Sequence, residues 1–161
     1  MKKHLSVTGI GPYYVTIISL MTLIGLYAHF EDLLPSFNLF GHKVIADLLA
    51  VALIMFGILL WLGAFKVSRI GEHIKNNELV TDGVYAWVRN PIYTAFMFLM
   101  WGLIVWQNNA LLFLLCPSYW LLMSLMVIPT EERWLINLYG EQYRAYAKKV
   151  NRCIPWPPKN I

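Results

Sequence analysis

Charge is missing where a soluble protein would need it: no Asp, Glu, Lys, Arg or His occurs anywhere from Pro91 to Thr130. An apolar helix needs about 20 residues to cross the hydrocarbon core of a bilayer, so this stretch is too long for one crossing and suits two. Cysteine is nearly absent as well. Cys116 and Cys153 are far apart and belong to no Cys-x-x-Cys or Cys/His cluster, which excludes a disulfide framework and a structural zinc site. The four histidines, His4, His29, His42 and His73, lack metal-ligand spacing, so no metal is expected. No linker rich in Ser, Gly or Pro divides the chain, and no repeat of solenoid period occurs. One membrane domain over residues 1–161 follows. The opening Met1-Lys2-Lys3-His4 precedes an apolar stretch from Leu5 to Phe30. That stretch is longer than a signal peptide's apolar core, and no small-x-small pattern closes it, so it reads as a retained helix.

What is present is apolar and arranged in blocks: 58% of residues are hydrophobic, and the mean hydropathy is +0.54. The blocks predict an all-α integral membrane bundle of four transmembrane helices, at about Tyr13–His29, Val44–Phe65, Ile92–Trp106 and Ala110–Ile128. Gln107-Asn108-Asn109 is the polar break that makes the third and fourth helices an antiparallel hairpin, and Pro117 is a candidate kink. Four spans place the N-terminus, the loop after the second helix and the C-terminal tail on one side. Every Lys and Arg except Lys43 falls in those three segments. The positive-inside rule then makes that side cytoplasmic, in the inner or cytoplasmic membrane. The basic balance is explained by membrane topology and attraction to anionic headgroups, so no nucleic acid partner is expected.

Two segments on that side carry candidate chemistry. The first runs from Glu78 to Tyr93. Thr81-Asp82-Gly83 is a turn, and Asn90-Pro91 is a helix start, with Asn as N-cap and Pro at the first helical position. Such a helix N-terminus favours an anion or a polar ligand edge. Arg89 adds a positive charge there, and Tyr85 and Tyr93 add aromatic faces with hydroxyls. The second segment runs from Pro129 to Tyr146. Thr130 is placed to cap a helix whose first turn carries Glu131 and Glu132. Leu135, Leu138, Tyr139, Tyr143, Tyr146 and Val150 form a stripe at helical spacing, and Gly140 breaks or bends the helix. This predicts a C-terminal amphipathic helix at the cytoplasmic surface. Each segment also has a plain alternative, as a cap, interfacial tyrosines and solvated charges. Facing each other, the two suit a zwitterionic or cationic ligand, with aromatic faces toward a sulfonium or quaternary centre.

Gly83-Val84-Tyr85-Ala86-Trp87-Val88-Arg89-Asn90-Pro91-Ile92-Tyr93 resembles the G-x-Y-x-x-x-R-[HN]-P-x-Y motif of the isoprenylcysteine carboxyl methyltransferase and phospholipid methyltransferase superfamily. Glu131-Glu132, Leu135, Tyr139-Gly140, Tyr143, Tyr146 and Ile154-Pro155 are similar to its second signature. The resemblance covers residues 77–157, which it marks as a cofactor-binding and catalytic half. It implies a membrane methyltransferase that uses S-adenosylmethionine. Carried over, Asn77, Glu78, Leu79, Val80 and Tyr85 would line one edge of the cofactor, and Asn90, Pro91, Ile92 and Tyr93 another. Glu131 would hold the cofactor's amino group, and Arg89, Glu131 and Glu132 would be the catalytic set. The lipophilic acceptor would enter from the bilayer, and the first choice is the carboxylate of an isoprenylcysteine-like substrate. A carboxylate needs no general base, whereas an amine acceptor would use Glu132 as base. The alternatives are a phospholipid or other small amphiphile as acceptor, a sterol-reductase-like enzyme using NADPH, or a non-catalytic membrane scaffold or transporter subunit. Two positions depart from the pattern. Asn90 stands where the family often has His, and Val127 stands where the prenylcysteine enzymes carry an Arg for the substrate carboxylate.

Overall fold

The computed structural model describes residues 9–67 and 78–158, with no side-chain description for Lys66 and Val67. Asn77 and the basic residues Lys2, Lys3, Arg69, Lys75 and Lys159 lie outside the described residues. The described residues are helical, with only two isolated bridges and no strand. Helix α1 spans Gly11–Phe30. Helix α2 spans Lys43–Leu62 and continues as a wider π-type turn over Gly63–Val67. Helix α3 spans Pro91–Trp106, α4 is the short Ala110–Phe113 and α5 is Leu115–Val127. A second wide turn, Ile128–Glu132, leads into α6, Arg133–Tyr139. Helix α7 spans Glu141–Lys149.

Among the described residues, three helical stretches are long and apolar enough to cross a membrane: Gly11–Phe30, Lys43–Phe65 and Ala110–Tyr139. Pro91–Trp106 is apolar but shorter. The outer faces are apolar where a soluble bundle's are polar. Leu20, Leu23, Ile24, Leu48, Val51 and Leu59 are exposed, while the inward faces of α1 and α2 mix small, polar and apolar residues. In α1 the buried stripe is Gly11, Tyr14, Ile18 and Thr22, and the Thr22 hydroxyl meets the Tyr119 hydroxyl at 2.8 Å. In α2 it is Ala46, Ala50, Gly57 and Leu60. A Cβ on Gly57 would lie 2.8 Å from the Ala95 carbonyl, and one on Gly102 would lie 2.5 Å from Ile54. Small residues thus let α2 and α3 approach closely, which is how helices pack where lipid and side chains are equally apolar.

The turn between α3 and α4 is pinned to the α1–α2 loop. Asn108 adopts a left-handed φ of +52°. Its side chain accepts from the Phe40 N–H at 2.8 Å and donates to the Phe40 carbonyl at 3.0 Å. Asn109 caps α4, accepting from the Leu111 N–H at 2.9 Å. The helix break sits at Leu114, ahead of Pro117. Pro117 has no N–H for the Phe113 carbonyl one turn earlier, so the last residues of α4 tighten and a new helix starts.

One local expectation fails. Thr130 does not begin a helix, because the chain stays helical from Leu115 to Tyr139. The wide turn at Ile128–Glu132 accommodates Pro129, and the Thr130 hydroxyl bonds back to the Met126 carbonyl. Gly140, at φ +56°, ends α6 as expected.

Candidate active site

The segment ahead of α3 is shaped from the chain's C-terminal end. A 3-10 turn over Gly83–Ala86 turns Tyr85 inward, and the Tyr146 hydroxyl donates to the Tyr85 carbonyl at 2.7 Å. The C-terminal residues then run alongside. The Arg89 N–H donates to the Asn151 carbonyl at 2.8 Å. The Asn90 side chain donates to the Arg152 carbonyl at 3.1 Å, and the Thr94 hydroxyl donates to the Cys153 carbonyl at 2.8 Å. Asn90 therefore stands at the N-cap position of α3 but does not cap it. The bond from its amide nitrogen to the C-terminal strap, residues 151–158, turns the side chain away from the helix start, and the first-turn N–H groups of α3 carry no side-chain cap.

Glu131 and Glu132 are adjacent in sequence and separate in space, because successive helical residues point about 100° apart. Glu131 faces a cavity. Its Oε1 accepts from the Tyr93 hydroxyl at 2.6 Å and from the Ile10 N–H at 2.7 Å. Glu132 is buried and faces two arginines. Arg89 Nη2 lies 2.8 Å from its Oε1. Arg152 bonds it in a fork, with Nε 2.7 Å from Oε1 and Nη2 3.0 Å from Oε2. Such two-point pairing fixes geometry as well as charge.

The cavity has a volume of about 830 Å³. Of the residues expected at the site from the sequence, Glu78, Leu79, Val80, Tyr85, Arg89, Asn90, Pro91, Ile92, Tyr93 and Glu131 all line it. Glu132 does not, and Asn77 lies outside the described residues. Burial holds the Tyr85 and Tyr143 hydroxyls above the usual phenol range, and the carboxylates of Glu131 and Glu132 respectively push the same way. Both stay protonated near neutral pH. Burial likewise raises the Cys153 thiol, which leaves it no thiolate character.

Among the described residues, two buried side-chain polar atoms have no hydrogen-bond partner: Arg89 Nε and the Tyr139 hydroxyl. Both residues line this cavity. Buried polar groups are rarely left unpaired, and both of these atoms lie beneath the cavity surface, without accessible area of their own. Sequence reasoning missed several contributors. Trp134 and Phe96 line the cavity without having been singled out, and Tyr139 lines it though read only as a stripe and signature residue. Arg152 read only as a topological charge. The turn Gly9–Ile10–Gly11 also lines the cavity, and its one signal was a pair of glycines at the start of an apolar helix.

The model of the phospholipid methyltransferase family matches residues 45–142, more than half of the chain. The chain belongs to this family. Methanethiol S-methyltransferase 1 of Bradyrhizobium diazoefficiens is 32% identical over 97 residues, covering 57% of this chain and 33% of that protein. Protein-S-isoprenylcysteine O-methyltransferase of Schizosaccharomyces pombe is 40% identical over 87 residues, covering 52% of this chain and 36% of that protein. Methanethiol S-methyltransferase of Mycobacterium tuberculosis is 34% identical over 77 residues, covering 48% and 30%. The chain spans about a third of the length of these curated relatives. No solved structure matches it. The phospholipid methyltransferase match takes in the first motif and both glutamates; α1, most of α7 and the C-terminal strap lie outside it.

Proposed function

We propose that this chain binds S-adenosylmethionine in the 830 Å³ cavity and transfers its methyl group to a lipophilic acceptor. The observation that carries this reading is Glu131. Its Oε1 is fixed by Tyr93 and Ile10, which leaves Oε2 for the cofactor's ammonium in a cavity lined by both motifs. The remaining fit is chemical. The uncapped first turn of α3 suits the cofactor's carboxylate. The Tyr85 ring, on the cavity wall, offers a π face to a sulfonium. When bound, the cofactor supplies a methyl group on a cationic sulfur, which takes back the bonding electrons as an acceptor lone pair captures the carbon. The chain's own part is alignment and exclusion of water by Phe65, Phe96 and Trp134 around the cavity. Glu132 is assigned no proton transfer, because both of its oxygens are engaged by arginines; it orders Arg89.

An isoprenylcysteine-like carboxylate is the first acceptor, and Arg89, on the cavity wall, is the cation placed to attract it. That role falls to Arg89 because Val127 is fully buried in the core. A neutral or basic amphiphile, such as a thiol or a phospholipid amine, is the second reading. It is favoured by the two carboxylates, Glu78 and Glu131, on the cavity wall. In the membrane, α3 is a fourth span. Its 16 residues make about 24 Å of helix, and it forms a hairpin with α4–α5. Helix α7 lies amphipathically on the cytoplasmic face, its buried Tyr143 and Tyr146 inward and Lys148 and Lys149 outward.

Calorimetric titration of the detergent-solubilised protein with S-adenosylhomocysteine and with NADPH tests the cofactor. The expected result is saturable binding of the first and none of the second. Binding of NADPH alone points to a reductase, and binding of neither points to a scaffold. Transfer of labelled methyl to a prenylcysteine, a thiol or a phospholipid then identifies the acceptor.

A further inference from the structure

We propose that the turn Gly9–Ile10–Gly11, which precedes α1 and lies outside the family match, is a working wall of the active site whose backbone positions Glu131. The inference rests on the reading of Glu131 as the cofactor's carboxylate ligand. The contact is direct: the Ile10 N–H donates to Glu131 Oε1 at 2.7 Å across 121 positions of sequence. The N-terminus of α1 also places its positive dipole end on the carboxylate.

The two glycines make room for that contact. Gly9 has φ +20°, and a Cβ there would lie 2.0 Å from Glu131 Oε1. A Cβ on Gly11 would lie 2.5 Å from the Tyr93 ring, the other group that holds the same oxygen. Any side chain at either position therefore displaces the Glu131–Tyr93 pair. With Oε1 held by two donors, Oε2 has one direction in which to meet a ligand cation. Preorganisation of this kind gains affinity by removing the cost of ordering the carboxylate on binding. Gly9 and Ile10 are positioning residues; they act through Glu131.

Ile10→Pro removes the N–H while keeping a φ near the native −83°. Gly9→Ala drives a methyl into the carboxylate. Gly41→Ala is the control, since nothing lies within 4 Å of a Cβ there. S-adenosylhomocysteine affinity is measured by calorimetry for each variant, alone and combined with Glu131→Gln. Ile10→Pro and Gly9→Ala are expected to weaken binding by about tenfold in the native background and less than about twofold beside Glu131→Gln; Gly41→Ala changes neither. Equal losses in both backgrounds, or no loss, overturn the proposal. A further readout needs no variant in the turn: S-adenosylhomocysteine slows hydrogen exchange at residues 9–15 together with residues 128–134. Protection at the second segment alone also overturns it. Failure of the native protein to bind S-adenosylhomocysteine overturns the cofactor reading and this inference with it, whereas native binding with unaffected turn variants overturns only the inference.

Discussion

Glu131→Gln weakens S-adenosylhomocysteine binding by about tenfold to a hundredfold. The substitution keeps the shape of the side chain and an oxygen for the Tyr93 hydroxyl and Ile10 N–H, so its effect isolates the negative charge. A hydrogen bond to a charged partner contributes about 1.5–3 kcal/mol, and about 1.4 kcal/mol is a factor of ten in affinity. Calorimetry gives the affinity, and thermal unfolding in detergent shows whether the fold is kept. An affinity within twofold of the native value removes Glu131 from the cofactor site. Tyr93→Phe is a milder companion, since it deletes one of the two donors on Oε1 and leaves the charge in place.

Glu132→Ala, one residue away, has the opposite profile: a large loss of stability. Its carboxylate stands between Arg89 and Arg152, and the Arg89 side chain is only 8% exposed. Removing one member of a buried ion cluster leaves the others desolvated without compensation, at a cost of about 3–5 kcal/mol. That is a large share of the 5–15 kcal/mol, or thereabouts, that holds a typical domain folded. The Arg144–Glu141 pair on α7 is the contrast. Its side chains are 54% and 90% exposed, so Glu141→Ala costs below about 1 kcal/mol. Thermal unfolding of the two variants side by side reads the difference. Similar small losses for both contradict the reading of the Arg89–Glu132–Arg152 cluster as the clamp that ties the C-terminal strap to the first motif.

The parts of the fold that depend on local chemistry were legible in the sequence. Pro91 starts α3 because its missing N–H costs nothing at a first helical position. Gly140 ends α6 with a positive φ, and the apolar blocks mark the helices. The residues around the cavity were legible as far as two motifs reach. What was not legible comes from contacts between distant segments. Asn90 read as a cap because Asn before Pro usually is one; the bond from its amide nitrogen to the Arg152 carbonyl, 62 positions away, orients the side chain toward the strap, and no cap forms. Thr130 read as a helix start because a capping hydroxyl there precedes two carboxylates, yet the helix widens by one turn and passes through. Glu131 and Glu132 read as a pair with related roles. Their directions differ because helical geometry sends one to the cavity and the other to Arg152. Gly9 and Gly11 have no meaning until Glu131 and Tyr93 are folded against them.

The proposed cofactor site is one cavity between the Glu78–Tyr93 and Glu131–Tyr146 segments. Photo-crosslinking of the purified protein with labelled S-adenosylmethionine, followed by peptide mapping, tests it most directly. Label is expected on peptides containing residues 78–93 and 131–146, competed away by S-adenosylhomocysteine and lost in Glu131→Gln. Competable label confined to other segments, or label that Glu131→Gln leaves unchanged, would contradict it.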